Sequence, residues 1–256
     1  MRSRRVVPVA LALVLGLSIW EWISVASSRW LPGIVEVAVA AVGILDSETL
    51  MADLGATIRR VLTVWLATVV VGVAIGVAAG FWWWLRALLR PVLAVALAIP
   101  DLVYIIMVVL ILGTAESSGL ISLVLAIAPL VINVSMNAVL ERDIRLDEMS
   151  RTYRLNKFDY ARSVLWWQIR PALHAATVTA FAFSWKLMVL LEAVTTSTGV
   201  GARIMEEFRY LRPAEMIAYA LVFTVLMKFA EVAVVDRLFS DRVPGSAAQP
   251  RRLQDA

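Results

Sequence analysis

The chain has 256 residues, 61% of them hydrophobic and 17% charged, with a mean hydropathy of +0.82 and a formal net charge of +4. Soluble domains average about 45–50% apolar and about 25% charged residues, so an ordinary water-soluble fold is excluded. The lack of cysteine excludes disulfide scaffolds, thiolate metal sites and cysteine nucleophiles, and one histidine, His174, gives no basis for a histidine-ligated zinc site.

With lipid as solvent, about 20 apolar residues are needed per helical crossing, and long uncharged runs mark the crossings. The first covers residues 6–28, interrupted only by Glu21. Arg2, Arg4 and Arg5 ahead of it and small residues at 26–28 also fit a cleaved leader. The run is long for a leader, and Trp20, Glu21 and Trp22 precede the small residues, so a retained span is expected. With an extracytoplasmic linker it makes up residues 1–49; residues 50–240 form the core of five further spans.

The second run, Val61 to Leu85, carries no charge. Gly72, Gly76 and Gly80 recur at every fourth position within it, which places them on one helix face where a neighbouring backbone can approach closely. The third, Pro91 to Leu112, contains only Asp101, next to Pro100. A proline there removes a helix hydrogen bond and bends the segment. Asp101 is too costly to face lipid, and either lines a cavity or pairs with another helix. The fourth, Ser117 to Leu140, is uncharged, and Asn133 and Asn137 share one of its faces.

Residues 140–172 follow as a charged stretch too long for a simple turn. Met149, Tyr153, Leu155 and Phe158 recur with loose helical spacing among charges. Such an apolar patch suits a protein partner or a helix lying on the lipid surface, and the residues alone leave both open. The fifth run, Pro171 to Thr198, contains Lys186 and Glu192, whose spacing of six puts them on different faces, so each needs a partner elsewhere. The sixth, Met216 to Val235, contains Lys228 and Glu231, three apart and able to pair. Asp101, Asn133, Asn137, Lys186 and Glu192 are the candidates for lining a translocation path. Residues 241–256 form a flexible tail.

No ten-residue stretch alternates with the period of a barrel strand, so the fold class is all-α, a polytopic transmembrane bundle of six spans. Of the 24 Lys and Arg, sixteen fall in segments 1–5, 81–90, 140–172 and 236–256, and seven of these lie in 140–172. By the positive-inside rule both termini and the 140–172 loop are cytoplasmic.

Several pieces together resemble the membrane permease subunit of binding-protein-dependent ABC importers, in the nitrate, sulfonate and taurine branch. The pieces are Thr57-Ile58-Arg59-Arg60-Val61-Leu62, then Ile99-Pro100, then Glu192 followed by Ser197-Thr198-Gly199-Val200-Gly201. In the loop, Glu148-Met149-Ser150 falls on the family's E-A-A, Arg154 on its glycine, and Val164-Leu165-Trp166-Trp167 on its I-x-L-P. The resemblance implies the type I (MetI-like) permease fold in a bacterial plasma (inner) membrane. It further implies that the loop docks on a separate ATPase through Glu148, Met149, Ser150, Arg154, Leu155, Asn156 and Phe158. Implied partners are two ATPase subunits, a second permease copy, an extracytoplasmic solute-binding protein and the bilayer, with no nucleic acid. The substrate implied is a small solute: a sulfonate, nitrate or taurine-like compound, or a small aromatic or pyrimidine.

The departures bear on coupling. Arg154 stands at the glycine and Trp167 at the proline, so the loop either turns at Arg154 at some conformational cost or runs on as a straighter helix. No G-x-x-x-x-G-K-[ST] loop is present, so no cofactor is expected on this chain, and ATP and Mg belong to the partner ATPase. Three rival functions remain on the sequence: an autonomous channel or ion-coupled carrier, a degenerate half of a heterodimeric importer, and an intramembrane enzyme. The last is disfavoured because His174 and the serines Ser117 and Ser118 fall at opposite ends of the bundle.

Overall fold

In the computed structural model, residues 3–26 and 31–231 are described. All regular elements among them are helices: α1 Ser3–Ala26, α2 Ile34–Leu45, α3 Glu48–Phe81, α4 Trp83–Ala98, α5 Asp101–Leu112, α6 Glu116–Leu140, α7 Ile144–Thr152, α8 Lys157–Tyr160, α9 Trp166–Thr195, α10 Val200–Arg209 and α11 Pro213–Ala230. The tail 241–256 and the end of the sixth apolar run at Val235 lie outside the described residues.

Among the described residues, four helices are long and apolar enough to cross a membrane: Thr49–Phe81, Glu116–Leu140, Lys157–Thr195 and Pro213–Ala230. The third apolar run divides at Ile99-Pro100 into α4 and α5, which meet at 100° and bring the number to five if the bent pair is one span. The sequence predicts a bend there. The break is sharper because Pro100 has no N–H to donate and disfavours helical geometry in the residue before it, so Ile99 is extended. The first run is a 24-residue helix, α1, whose opening turns carry side chains outside the described set.

The α3/α6 pair is the spine. Arg59 meets Glu116, Gly72 meets Val131 and Gly80 meets Val139, a nearly constant offset that makes the two helices parallel and in register. A Cβ added at Gly76 would lie 2.6 Å from the Ile132 carbonyl oxygen and one at Gly80 2.5 Å from Val139 Cβ. The three glycines on one face therefore let α6 approach closely, with the Val131 and Val139 side chains seated on Gly72 and Gly80 and the Ile132 backbone on Gly76.

Helix α9 packs across this pair. Val64, Trp65, Leu123, Val131, Phe181, Met188 and Leu191 form the buried centre, with Trp65 edge-on to Phe181 at 5.5 Å and its indole N–H donating to the Thr177 carbonyl at 3.1 Å. A second core joins α2, α10 and α11 to the start of α3 through Val37, Ile44, Leu50, Leu54, Val200, Tyr219, Phe223 and Met227.

Two boundaries differ from the sequence expectation. The stretch expected as a linker up to residue 49 contains the helix α2. Helix α3 starts at Glu48, not Val61. At 34 residues it is about 51 Å long, well beyond the roughly 30 Å hydrocarbon core. Asp53, Arg59 and Arg60 signal a loop by charge, but the charges are neutralised by partners from distant segments.

Candidate functional site

The 140–172 loop is folded, and it bends at Arg154. Asp143 caps α7, its carboxylate accepting from the Arg145 N–H at 2.9 Å. At the other end the Leu155 N–H donates to the Ser150 carbonyl at 3.0 Å and the Arg154 N–H to the Arg151 carbonyl at 3.0 Å. That pair of bonds is the Schellman closure of a helix, which requires a left-handed residue between them. Arg154 supplies it with φ +52°. Of the two geometries left open by the sequence, the turn is the one adopted, at roughly 1–2 kcal/mol for a residue with a Cβ. Asn156 then caps α8, accepting from the Asp159 N–H at 2.8 Å.

The second departure has the opposite result. Trp167, unlike proline, keeps its N–H, and the helix runs unbroken from Lys157 to Thr195. One π-helical turn at residues 161–165 marks the join, where the Trp166 N–H reaches back to Ala161.

Asp147 fastens the loop to the bundle. It accepts from the Tyr160 hydroxyl at 2.7 Å and from Arg142 Nε at 2.8 Å, and Arg142 in turn lies over the Phe81 ring at the end of α3. Burial works against the charged form of Asp147, but these two donors outweigh it and hold the carboxyl below its ordinary range. Of the loop residues singled out by sequence, Glu148, Met149, Arg154, Leu155, Asn156 and Phe158 are exposed, Phe158 by 70%. Ser150 is buried, with its hydroxyl on the Asp147 carbonyl at 2.6 Å, so it lies beneath the loop's outer surface. Tyr153, part of the apolar patch read from the spacing, is 74% exposed, and Ile144, which the sequence reading did not single out, adds to the exposed apolar surface.

The intramembrane polar residues separate into different environments. Asp101 lines a cavity of about 330 Å³ at the α4/α5 break. Asn137 Nδ2 donates to Asn133 Oδ1 at 3.3 Å, on one half-buried face of α6. Lys186 is exposed on α9, 5.8 Å from the Trp185 ring, and Lys228 pairs with Glu231 at 2.8 Å.

Glu192 is wholly enclosed, with 0% exposure, at the opposite end of the bundle from the loop. Arg60 Nη1 donates to it at 2.7 Å, Thr57 Oγ1 lies 3.0 and 2.9 Å from its two oxygens, and the Gly201 N–H donates at 3.0 Å. Arg60 also donates to the Thr198 carbonyl at 2.9 Å and to Glu116 at 3.1 Å. One turn away, Asp53 accepts from the Gly199 N–H at 2.9 Å and from Arg203 Nε at 2.8 Å. The bonds to Asp53 and Glu206 hold the Arg203 guanidinium more firmly protonated.

This polar knot joins the starts of α3, α6 and α10 to the end of α9. The glycines of the Ser197–Gly201 segment are required by it. Gly199 has φ +105° and a Cβ there would strike the Glu192 carboxylate, while one at Gly201 would strike the Val189 carbonyl. Asp53, Thr57, Arg60 and Arg203 were not candidates from sequence. The available signal was an unpaired acid, Glu192, facing a Thr57-x-x-Arg60 pattern on another helix.

A parallel pair of apolar helices packed against a third, with a folded two-helix loop at one end, is the architecture of a polytopic membrane protein. Residues 69–240, more than half of the chain, match the family described as "Binding-protein-dependent transport system inner membrane component". The chain belongs to that family, the membrane permeases of ABC importers, and has the type I fold. Members of the family are transport subunits and are not themselves ATPases.

The chain is similar to the taurine transport system permease protein TauC of Escherichia coli (strain K12), 24% identical over 75% of this chain and 70% of that protein. It is also similar to the nitrate import permease protein NrtB of Synechocystis, 25% identical over 86% and 83% of the two chains. A third relative is the putative aliphatic sulfonates transport permease protein SsuC of Bacillus subtilis, at 25% over 84% and 79%. Among solved structures, a chain of the inward-facing MetNI methionine ABC transporter matches with a TM-score of 0.54 and 20% identity, over 75% of this chain and 99% of that one.

Proposed function

We propose that this chain is the permease subunit of a bacterial inner-membrane importer for a small solute such as a taurine-like compound, a sulfonate, nitrate or a small pyrimidine. In this reading two copies, or this copy and a second different permease, form the path between them. A solute-binding protein delivers on the outside, and two cytoplasmic ATPase subunits supply the energy. ATP and Mg are bound by the ATPase, and this chain carries no cofactor.

The observation that carries the coupling role is the α7–turn–α8 unit, which presents Ile144, Met149, Tyr153 and Phe158 outward while Asp147 and Arg142 anchor it to the bundle. An anchored, protruding apolar patch transmits force from a docked partner; a lipid-surface helix needs no such anchor. The autonomous-carrier reading leaves this patch without a role.

The test is uptake by the complete complex in proteoliposomes. Phe158→Asp should lower ATP-driven uptake at least tenfold, since an exposed aromatic at an interface centre contributes on the order of 2 kcal/mol. Stability should change by less than about 0.5 kcal/mol, as for most surface substitutions. Uptake by this chain without any ATPase would overturn the proposal, as would full activity of Phe158→Asp. The subunit content of the purified complex separates the one-permease from the two-permease assembly.

A further inference from the structure

The α4/α5 break is chemically lopsided. Its cavity of about 330 Å³ is lined by apolar side chains, among them Leu97, Pro100, Ile127, Leu130 and Phe183, and by the carboxylate of Asp101. No Lys, Arg or His contributes to the lining. Among the described residues Asp101 has no hydrogen-bond or ion-pair partner, unlike Glu192, which has three residues on it.

The backbone adds acceptors. Carbonyls of a last helical turn have no N–H partner within the helix, and Pro100 has none to offer. The Tyr104 hydroxyl takes the Ala96 carbonyl at 3.1 Å, and those of Leu97 and Ala98 are in the same turn. Asp101 is itself the first residue of α5, and the free N–H groups of that turn, equivalent to a partial charge of roughly +0.5, offset only about half of a carboxylate.

We infer that the α4/α5 break is a binding site for a solute group that donates hydrogen bonds, an organic ammonium or a ring N–H, and not for a bare anion. The carboxylate and the carbonyls accept from such a group, and the apolar walls, Phe183 among them, take the carbon frame. A cavity near the lower end of the roughly 300–1,000 Å³ range for ligand pockets suits a small solute. Leu130 on its wall shares a helix face with Asn133 and Asn137, so the polar surface continues along α6 toward the loop end. Nitrate brings only acceptors to a lining without a cationic side chain, whereas a taurine-like zwitterion or a pyrimidine brings a donor for Asp101. The inference rests on the permease reading for its role in transport, though not for the binding itself.

Taurine and ethanesulfonate share a sulfonate and differ by one ammonium group, so they make a matched pair of probes. Their affinities for the permease–ATPase complex in nanodiscs, without the solute-binding protein, are measured by ligand-observed saturation-transfer NMR, with ethylammonium as a third probe. Taurine should bind at least tenfold more tightly than ethanesulfonate, and ethylammonium should bind. Asp101→Asn should bring taurine and ethanesulfonate within about twofold and abolish ethylammonium binding, and Asp101→Glu should retain the preference. Equal or better binding of ethanesulfonate to the wild type, or an unchanged ratio in Asp101→Asn, overturns the site, as does failure of both ammonium probes to bind. The wild-type comparison is decisive even if Asp101→Asn does not fold. ATP-independent uptake would overturn the permease reading and leave this binding preference untouched.

Discussion

The two ends of the bundle handle charge in opposite ways. At one end Asp53, Arg60, Glu192 and Arg203 are drawn inward until Arg60 is 6% and Glu192 0% exposed, and each finds partners from segments far away in sequence. At the other, most charges of α7 and α8 stay at the surface, interleaved with exposed apolar residues, and only Arg142 and Asp147 turn inward. An enclosed ion pair tolerates little displacement, because separating it leaves a buried charge without compensation. The loop end relies instead on the half-buried Arg142–Asp147 pair. The difference describes a molecule whose charges are tied inside at one end and displayed at the surface at the other.

Breaking the tied end should have the largest effect. Glu192→Ala leaves the Gly201 N–H enclosed without its acceptor and Arg60 with only the half-exposed Glu116 as its carboxylate partner, at a cost toward the lower end of about 3–5 kcal/mol. The thermal midpoint of the purified complex should fall by roughly 10 °C. Replacing Arg60 and Glu192 together by Met should recover most of this, since no lone charge then remains. A single variant within about 1 kcal/mol of the wild type would show that the knot is not what fixes this end.

Next in size is the spine between the ends. Gly76→Val places a side chain against the Ile132 carbonyl and Ser135, and should cost about 1–3 kcal/mol in the same melting experiment.

The loop end should respond more weakly. Arg154→Gly removes the left-handed strain of roughly 1–2 kcal/mol and adds about 0.5–1 kcal/mol of unfolded-chain entropy, so the loop gains only about 0.5 kcal/mol. Slower amide exchange over residues 150–158 would register it; faster exchange would contradict the strain argument.

The smallest effect is a pH dependence. The Asp147 carboxyl is held below its ordinary value of 3.8, so its contribution is complete above that pH and is lost as pH falls through the lower folded-state value. Exchange protection of α7, corrected for intrinsic rates, should weaken below about pH 4 in the wild type. In Asp147→Asn it should be weak at every pH, and a wild-type profile flat down to pH 2 would rule out this anchor.

Much of this architecture was readable in the chain. Uncharged runs located α3, α6, α9 and α11, because lipid-facing and core-facing surfaces are both apolar. The glycines at 72, 76 and 80 signalled a close helix contact, because their spacing places them on one face. The run from Val61 concealed the true start of α3, since the charges at 53, 59 and 60 have the composition of a loop. Arg60 and Glu192 both stood in motifs noted from sequence, yet nothing local joins residues 132 positions apart.

The sequence by itself determined an all-helical membrane protein and the place of its charged loop. Those properties follow from composition and short-range periodicity, which the solvent reads residue by residue. Tertiary structure alone decided that Glu192 is an enclosed tie while Asp101 opens on a cavity, although each is a single acid in an apolar run. The physical reason is compensation: Arg60, Thr57 and the Gly201 N–H reach Glu192, and no described group reaches Asp101. Whether a buried charge finds a partner depends on which helices are neighbours.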